Sequence, residues 1–351
     1  MTYLNQGRWK EAEELFVQVV ETTKRVLGDE HLETLTKISN LASTYWKQGR
    51  WKEAEELGVQ VMETRKRVLG DEHLDTLVSI GNLASTYRDQ GRWKEAGELE
   101  GQVMQTRKKV LGDEHPDTLS SMSNLAMTYL NQGRWRDAEE LFVQVMEMRK
   151  RVLGDEHPNT LASIGNLAST YLNQERWKEA GELEGQVMQT RKKVLGDEHP
   201  DTLTSMCNLA STYRNQGRWK EAEELGVQVV EMSKRVIGGE HPETLISMAN
   251  LASTYKNQGR WKEAEELGVQ VMQTFKRVLG DEHPNTLSSM NNLAFTFKRQ
   301  GSLNKAISLM EDCYKLRTVV LGLQHPKTIS SSKALTTWRL EAMKLSEQNN
   351  S

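Results

Sequence analysis

Histidine appears eight times, at positions 31, 73, 115, 157, 199, 241, 283 and 325, and most copies stand in the run Gly-Asp-Glu-His. Asp, Glu and His side by side are metal-ligand chemistry, so a divalent-cation site is the first thing the pattern could mean. The spacing argues against it. Consecutive residues do not share a helix face as ligands four apart do. Copies one repeat apart are separated by a helix-pair thickness, roughly 10 Å at the least. All six prolines directly follow one of these histidines, as in a loop that ends one helix and opens the next. No metal site and no cofactor are expected.

The basic clusters Arg65–Arg67 and Arg107–Lys109 could hold phosphate or nucleic acid. Asp and Glu follow shortly after each, and no aromatic residues are interleaved as single-strand binding would need. Complementing the negative end of a helix dipole is the expected role, and no nucleic-acid partner is expected. The nucleotide-binding pattern G-x-x-x-x-G-K-[ST] does not occur. Ser, His and Asp recur in every copy without a singular constellation, and Cys207 stands where sister copies have serine or glycine. An enzyme is not expected.

The elements that carry these residues follow a period. Trp9, Trp51, Trp93, Trp135, Trp177, Trp219 and Trp261 are each 42 apart, and Leu303 takes the eighth place. A fixed period of this size marks a repeat array. Residues 93–119 and 177–203 are identical, which argues for recent duplication and against separate chemistry in each copy. Leu35, Ile38, Leu41, Ala42 and Tyr45 form one helical face, and Trp51, Ala54, Leu57, Val61, Val68 and Leu69 another. Gly70 is expected to cap the second helix in a left-handed conformation, and Asp or Thr of the following His-Pro-Asp-Thr-Leu type of run to N-cap the next first helix. The expected fold is all-α, a solenoid of antiparallel helix pairs. It has a partial first repeat at 1–32. Seven repeats follow at 33–74, 75–116, 117–158, 159–200, 201–242, 243–284 and 285–326. A capping helix occupies 327–351, with a frayed Ser-Glu-Gln-Asn-Asn-Ser tail.

Bulk composition agrees. The 351 residues carry 46 basic and 49 acidic side chains, a formal charge of −3. That balance gives no global attraction to nucleic acid or anionic membranes. Two cysteines, no secretory pattern and no membrane-length apolar run lead to the expectation of a soluble cytoplasmic protein.

Leu41, Ala42, Tyr45 and Ala54, with their equivalents along the chain, resemble the tetratricopeptide repeat, whose usual unit is about 34 residues. The longer unit, with NLA.TY..QGRW.EAEEL and LG.EHP.TL, looks like the kinesin light chain subclass. That subclass also resembles the C-terminal arrays of fungal and bacterial NTPase sensors. The resemblance implies a right-handed superhelix and a concave groove lined by the first helices. It also implies a protein or peptide ligand, with a regulatory array of a larger NTPase receptor as the alternative. Carried over position by position, the groove asparagines are Asn40, Asn82, Asn124, Asn166, Asn208, Asn250 and Asn292. An amide both donates and accepts, which suits a peptide backbone of any sequence. Positions that vary between copies set the rest of the expected groove: an apolar middle of Met127, Leu130 and Leu172, and a basic end of Arg214, Lys256, Lys298 and Arg299.

One position departs from the resemblance. The residue after the Glu-Leu leucine is Phe16 or Phe142 in some copies, but Gly58, Gly226 or Gly268, and Glu100 or Glu184, in others. The recurring tryptophan is expected to pack inward and fill some of that space. Six of the eight joints between helices read Gln-Gly-Arg-Trp, and the fifth has Glu175 in place of glycine. If that joint keeps left-handed geometry, Glu175 is strained by about 1–2 kcal/mol.

Overall fold

The computed structural model describes residues 9–349, and among these every regular element is an α-helix. In chain order they are α1 Trp9–Leu27, α2 Leu32–Lys47, α3 Trp51–Leu69, α4 Leu74–Asp89, α5 Trp93–Leu111, α6 Pro116–Asn131, α7 Trp135–Leu153 and α8 Pro158–Asn173. They continue as α9 Trp177–Leu195, α10 Pro200–Asn215, α11 Trp219–Val236, α12 Pro242–Asn257, α13 Trp261–Leu279, α14 Pro284–Arg299, α15 Leu303–Leu321 and α16 Pro326–Asn349. The chain divides into two compact units, Met1–Thr190 and Arg191–Ser351. Both follow the same construction rules. The partial first helix expected before Trp9 lies outside the described residues.

First helices begin at a histidine cap. In every copy the imidazole Nδ1 accepts a hydrogen bond from the backbone N–H two residues on, for example Glu33 to His31 at 3.2 Å and Asp117 to His115 at 3.1 Å. The expected Asp and Thr caps are therefore corrected. The histidine is extended whichever residue follows: His115, before proline, sits at φ −64°, ψ 137°, and His31, before leucine, at φ −67°, ψ 137°; proline, where present, favours this geometry. That geometry places the imidazole, not the next side chain, over the free amides. The threonines are instead buried, and Thr244 and Thr286 donate to the carbonyls of Gly238 and Gly280 at 2.8 Å.

The joint between the two helices of a repeat is a Schellman turn. Arg50 N–H donates to Tyr45 O at 2.9 Å and Gly49 N–H to Trp46 O at 3.0 Å, with Gly49 at φ 76°. Glu175 keeps this turn at φ 60° and is the one non-glycine residue with positive φ among the described residues. The glycine that ends each second helix also has positive φ, but its ψ is extended. Gly70 lies at φ 92°, ψ 165°, a region open essentially to glycine alone, rather than the left-handed helical one expected.

Packing centres on one alanine per repeat. Ala54, Ala96, Ala138, Ala180, Ala222, Ala264 and Ala306 are all 0–2% exposed, and a side chain this small brings the crossing helices close. Around them the first unit buries Leu35, Ile38, Leu77, Ile80, Met122 and Phe142, and the second Leu245, Met248, Val271, Phe275, Met290 and Met310. The tryptophan opens every second helix but the last, which begins at Leu303, and it does not fill the core: Trp51, Trp93 and Trp261 are half-buried. Trp135, Trp177 and Trp219 are 43%, 39% and 44% exposed. Its backbone forms the inter-repeat joint instead. Gln132 Nε2 donates to Trp93 O at 2.8 Å and Gln300 Nε2 to Trp261 O at 3.0 Å. At the far end Leu335 and Trp338 are buried, and Trp338 meets Phe295 edge-on at 5.0 Å. The helix runs on through Asn349, taking in most of the tail expected to fray.

Two stability outcomes follow from this. Trp135→Ala lowers stability by about 2 kcal/mol in urea unfolding, because only a little over half of the ring's area is buried. A loss of 3 kcal/mol or more would show that the ring is core. Glu175→Gly raises stability by about 1 kcal/mol. A neutral result would mean that φ 60° costs this residue nothing.

Candidate ligand-binding face

Within the first unit α2 touches α4, α4 touches α6 and α6 touches α8; within the second, α10 touches α12. Successive second helices do not approach one another to that degree. In each unit the first helices therefore line the shorter, inner side. The residues carried over from the family resemblance fall on these helices.

Asn40, Asn82, Asn124 and Asn166 come from successive first helices of the first unit, and Asn208, Asn250 and Asn292 from those of the second. Four are exposed, and Asn124, Asn166 and Asn250 are half-buried. Of these seven, Asn250 alone bonds its side chain to the protein, donating to Cys207 Sγ at 3.1 Å. The other six amides keep their donors and acceptors for something else. Burial pushes the Cys207 thiol up, so it is not an activated nucleophile.

Between these asparagines the wall varies with one residue of the second helix. Phe142, fully buried, closes the wall beside Met127 and Leu130, so the expected apolar middle is partly packed against its own repeat. Leu172 is half-buried. Gly58 leaves a hollow of about 290 Å³, floored by Ala42, Gly58 and Leu83 and walled by Trp46, with Asn82 and Arg88 also lining it. Trp46 is held there because its Nε1 donates to Asp89 Oδ2 at 2.7 Å. Glu100 puts a carboxylate, 2% exposed, at the same register. Arg88 Nη1 donates to it at 3.0 Å. Burial pushes the Glu100 carboxyl up to about 7, against the opposing pull of the Thr128 hydroxyl and the Arg88 guanidinium. Gly58 and Glu100 stood out in the sequence as departures; that they shape the inner wall needed the structure.

The basic end is smaller than expected. Lys298 Nζ lies 2.6 Å from Glu341 of α16 and is neutralised there. Arg214 is drawn in toward Asn250 O at 3.4 Å, and burial lowers its pKa. Lys256 and Arg299 remain. They line an open hollow of about 530 Å³ with Trp261 and Phe295. Burial, then Arg214 and Arg299, press the Lys256 pKa down. This is positive charge facing positive charge.

The clusters considered for nucleic acid are spent on the fold. Arg65 is buried and donates to Asp75 O at 3.0 Å, and Arg107 to Asp117 O at 3.0 Å. Arg67 pairs with Glu30 at 2.6 Å, and Lys109 and Arg151 pair with Glu72 and Glu114. Among the described residues no group of three or more His, Cys, Asp or Glu is placed to hold a metal ion, and no helix is long and apolar enough to cross a membrane.

Glu100 has a folded pKa above its unfolded value, so the fold binds the extra proton. Its contribution to stability is full below the unfolded value and is lost as pH rises through about 7. Between pH 6 and pH 8 this one group removes about 1 kcal/mol. The difference between wild type and Glu100→Gln in urea unfolding should change by that amount over the interval; a constant difference refutes it. Gly58→Ala, with Leu83 Cδ1 3.4 Å from the added Cβ, stabilises by about 0.5–1 kcal/mol through helix propensity. Destabilisation would show that the hollow is needed for packing.

Models of the tetratricopeptide repeat match residues 118–159 and, in overlapping stretches, 1–57, 33–109, 161–235, 207–273 and 249–318. Among solved structures, a Podosopora anserina protein described as a kinesin light chain with nearly identical TPR-like repeats is 37% identical. The match covers 58% of this chain and 97% of that one, with a TM-score of 0.50. BtubC of P. vanneervenii is 19% identical over 67% of this chain and 94% of its own, TM-score 0.53. A Rap protein solved with Competence and Sporulation Factor is 11% identical over 98% of both chains, TM-score 0.58. The last two are likenesses of fold. No curated protein matches the chain.

Proposed function

Because the chain belongs to the tetratricopeptide-repeat family, we propose that it is a non-catalytic binding module that holds an extended peptide or protein segment along its first helices. The carrying observation is the asparagine series. Six of seven amides, set one per repeat, make no hydrogen bond to the protein around them. For Asn124 and Asn166, which are half-buried, an amide without a partner costs free energy that a bound backbone would recover; the exposed four stand open to a ligand. In the second unit, Lys256 and Arg299 beside Trp261 and Phe295 favour acidic residues next to an apolar one. The free thiols Cys207 and Cys313 fit a cytoplasmic setting. Attachment to an NTPase, the other reading of the sequence, would leave this face as the sensing surface.

The test is selection from a random peptide library. Extended peptides rich in acidic and apolar residues should be enriched. Asn124→Ala with Asn166→Ala should weaken their binding about tenfold or more, and Lys256→Glu with Arg299→Glu should weaken the acidic ones selectively. Lys298→Glu has the smaller effect, since Glu341 already neutralises Lys298. Peptides indifferent to the asparagine pair would overturn the reading.

A further inference from the structure

Three observations in the first unit meet at one place. The hollow over Gly58 is about 290 Å³, room for one aromatic side chain, and its floor is apolar. Its lining includes two cations, Lys47 and Arg88, and Arg88 is the one tied to a carboxylate of the next helix. That cation is already spent. Its guanidinium donates to Glu100 Oε1 at 3.0 Å, with the two side chains 15% and 1% exposed. Glu100 Oε2 and the buried Thr128 Oγ1 make no close hydrogen bond, although the Thr128 hydroxyl is near enough to favour the carboxylate.

We propose that Arg88 and Glu100 form a proton-gated carboxylate site at the Gly58 hollow: when Glu100 takes up a proton, Arg88 is released to bind the carboxylate of an aromatic or apolar ligand group seated in the hollow. This deepens the inner-face reading and rests on it for its biological use.

Charge bookkeeping sets the direction. With Glu100 ionised, the pair is neutral and adds no net attraction for an incoming carboxylate beyond that of Lys47, which is the same in both states. With Glu100 protonated, the pair carries +1, and the new O–H faces the Thr128 hydroxyl, the neighbour that otherwise favours the carboxylate. The groups facing Glu100 from its neighbours are few. From α4 comes Arg88; Asp89 of that helix accepts from Trp46, and Tyr87 lies under Arg92. From α6 comes Thr128; its Tyr129 lies under Arg134, and its only charged residue, Asp117, sits at the far end beside Arg107. On α5 itself Glu95 is held by Arg92. Burial sets the Glu100 value near 7, so the gate works across neutral pH.

The identical segment one copy pair later shows that the arrangement is particular. Glu184 repeats Glu100, but Leu172 stands where Arg88 does. Of the two, the arginine is particular to the earlier copy.

Phenylacetate, an aromatic carboxylate ionised throughout pH 6–8, is the probe, with binding read by calorimetry or by NMR shifts on the intact chain. A site competent only when Glu100 is protonated binds about tenfold more tightly at pH 6 than at pH 8. Glu100→Gln should bind at the tighter level at both pH values, and Arg88→Gln weakly at both. By reciprocity, saturating phenylacetate should shift the Glu100 carboxyl titration, followed by ¹³C-glutamate NMR, to higher pH. Unchanged pH dependence in Glu100→Gln overturns the proposal. So does absence of binding by that variant when its melting shows it folded, or a Glu100 titration that ignores the ligand. Phenylacetate behaving as expected while library peptides ignore Asn124 and Asn166 would sink the backbone-binding reading and leave this site standing.

Discussion

The close crossing at alanine is the constraint on which the rest depends. With Ala54, Ala96 and Ala138 fully enclosed, each second helix lies against a first helix at a distance that no larger side chain would allow. That proximity fixes which neighbouring positions look inward. Four residues after the alanine, the same helix turns one side chain toward the inner wall, and there the copies diverge into Gly58, Glu100, Phe142, Glu184, Gly226 and Gly268. The alanine is kept so that its neighbour can change. A repeat array can hold its frame constant in this way while altering one contact at a time.

The two ends of each repeat are closed by different chemistry. A histidine imidazole opens the first helix, and a Schellman glycine closes it. Between repeats an arginine stacks on its own tyrosine and reaches back to the previous copy. Arg92 lies 3.9 Å over Tyr87 and 2.6 Å from Glu55, and Arg260 lies 2.6 Å from Glu223. Where Gly97 replaces that glutamate, Arg134 keeps Tyr129 and Asp137. Such half-exposed pairs add little each. Their repetition orients neighbouring copies, and the buried apolar surface supplies most of the stability.

Much of this was legible from periodicity. The helix pairs, the joint at Gln-Gly-Arg and the strained Glu175 follow from a 42-residue beat and the conformational demands of glycine. The tryptophans misled because a large ring suggests burial, whereas the first turn of a helix extends past the crossing and leaves the ring half in solvent. The caps misled because Asp and Thr are common N-caps, whereas the extended histidine takes the capping position whether proline or, as after His31 and His73, leucine follows. At the inner face the asparagine register could be read, but charge could not. Whether Lys298 is free depends on Glu341, 43 residues away, and whether Arg88 is free depends on Glu100 across the helix pair. Those pairings come from packing, which a local pattern does not encode.

The central claim is that side-chain amides of the first helices receive a ligand backbone. The direct measurement is NMR of the chain labelled with ¹⁵N-asparagine, with a library-selected peptide added. The account predicts that the side-chain NH₂ signals of Asn82, Asn124 and Asn166 shift with the peptide, while those of Asn159 and Asn285, at the N-terminal ends of α8 and α14, stay. Shifts confined to asparagines outside the inner series, with that series unmoved, would contradict it.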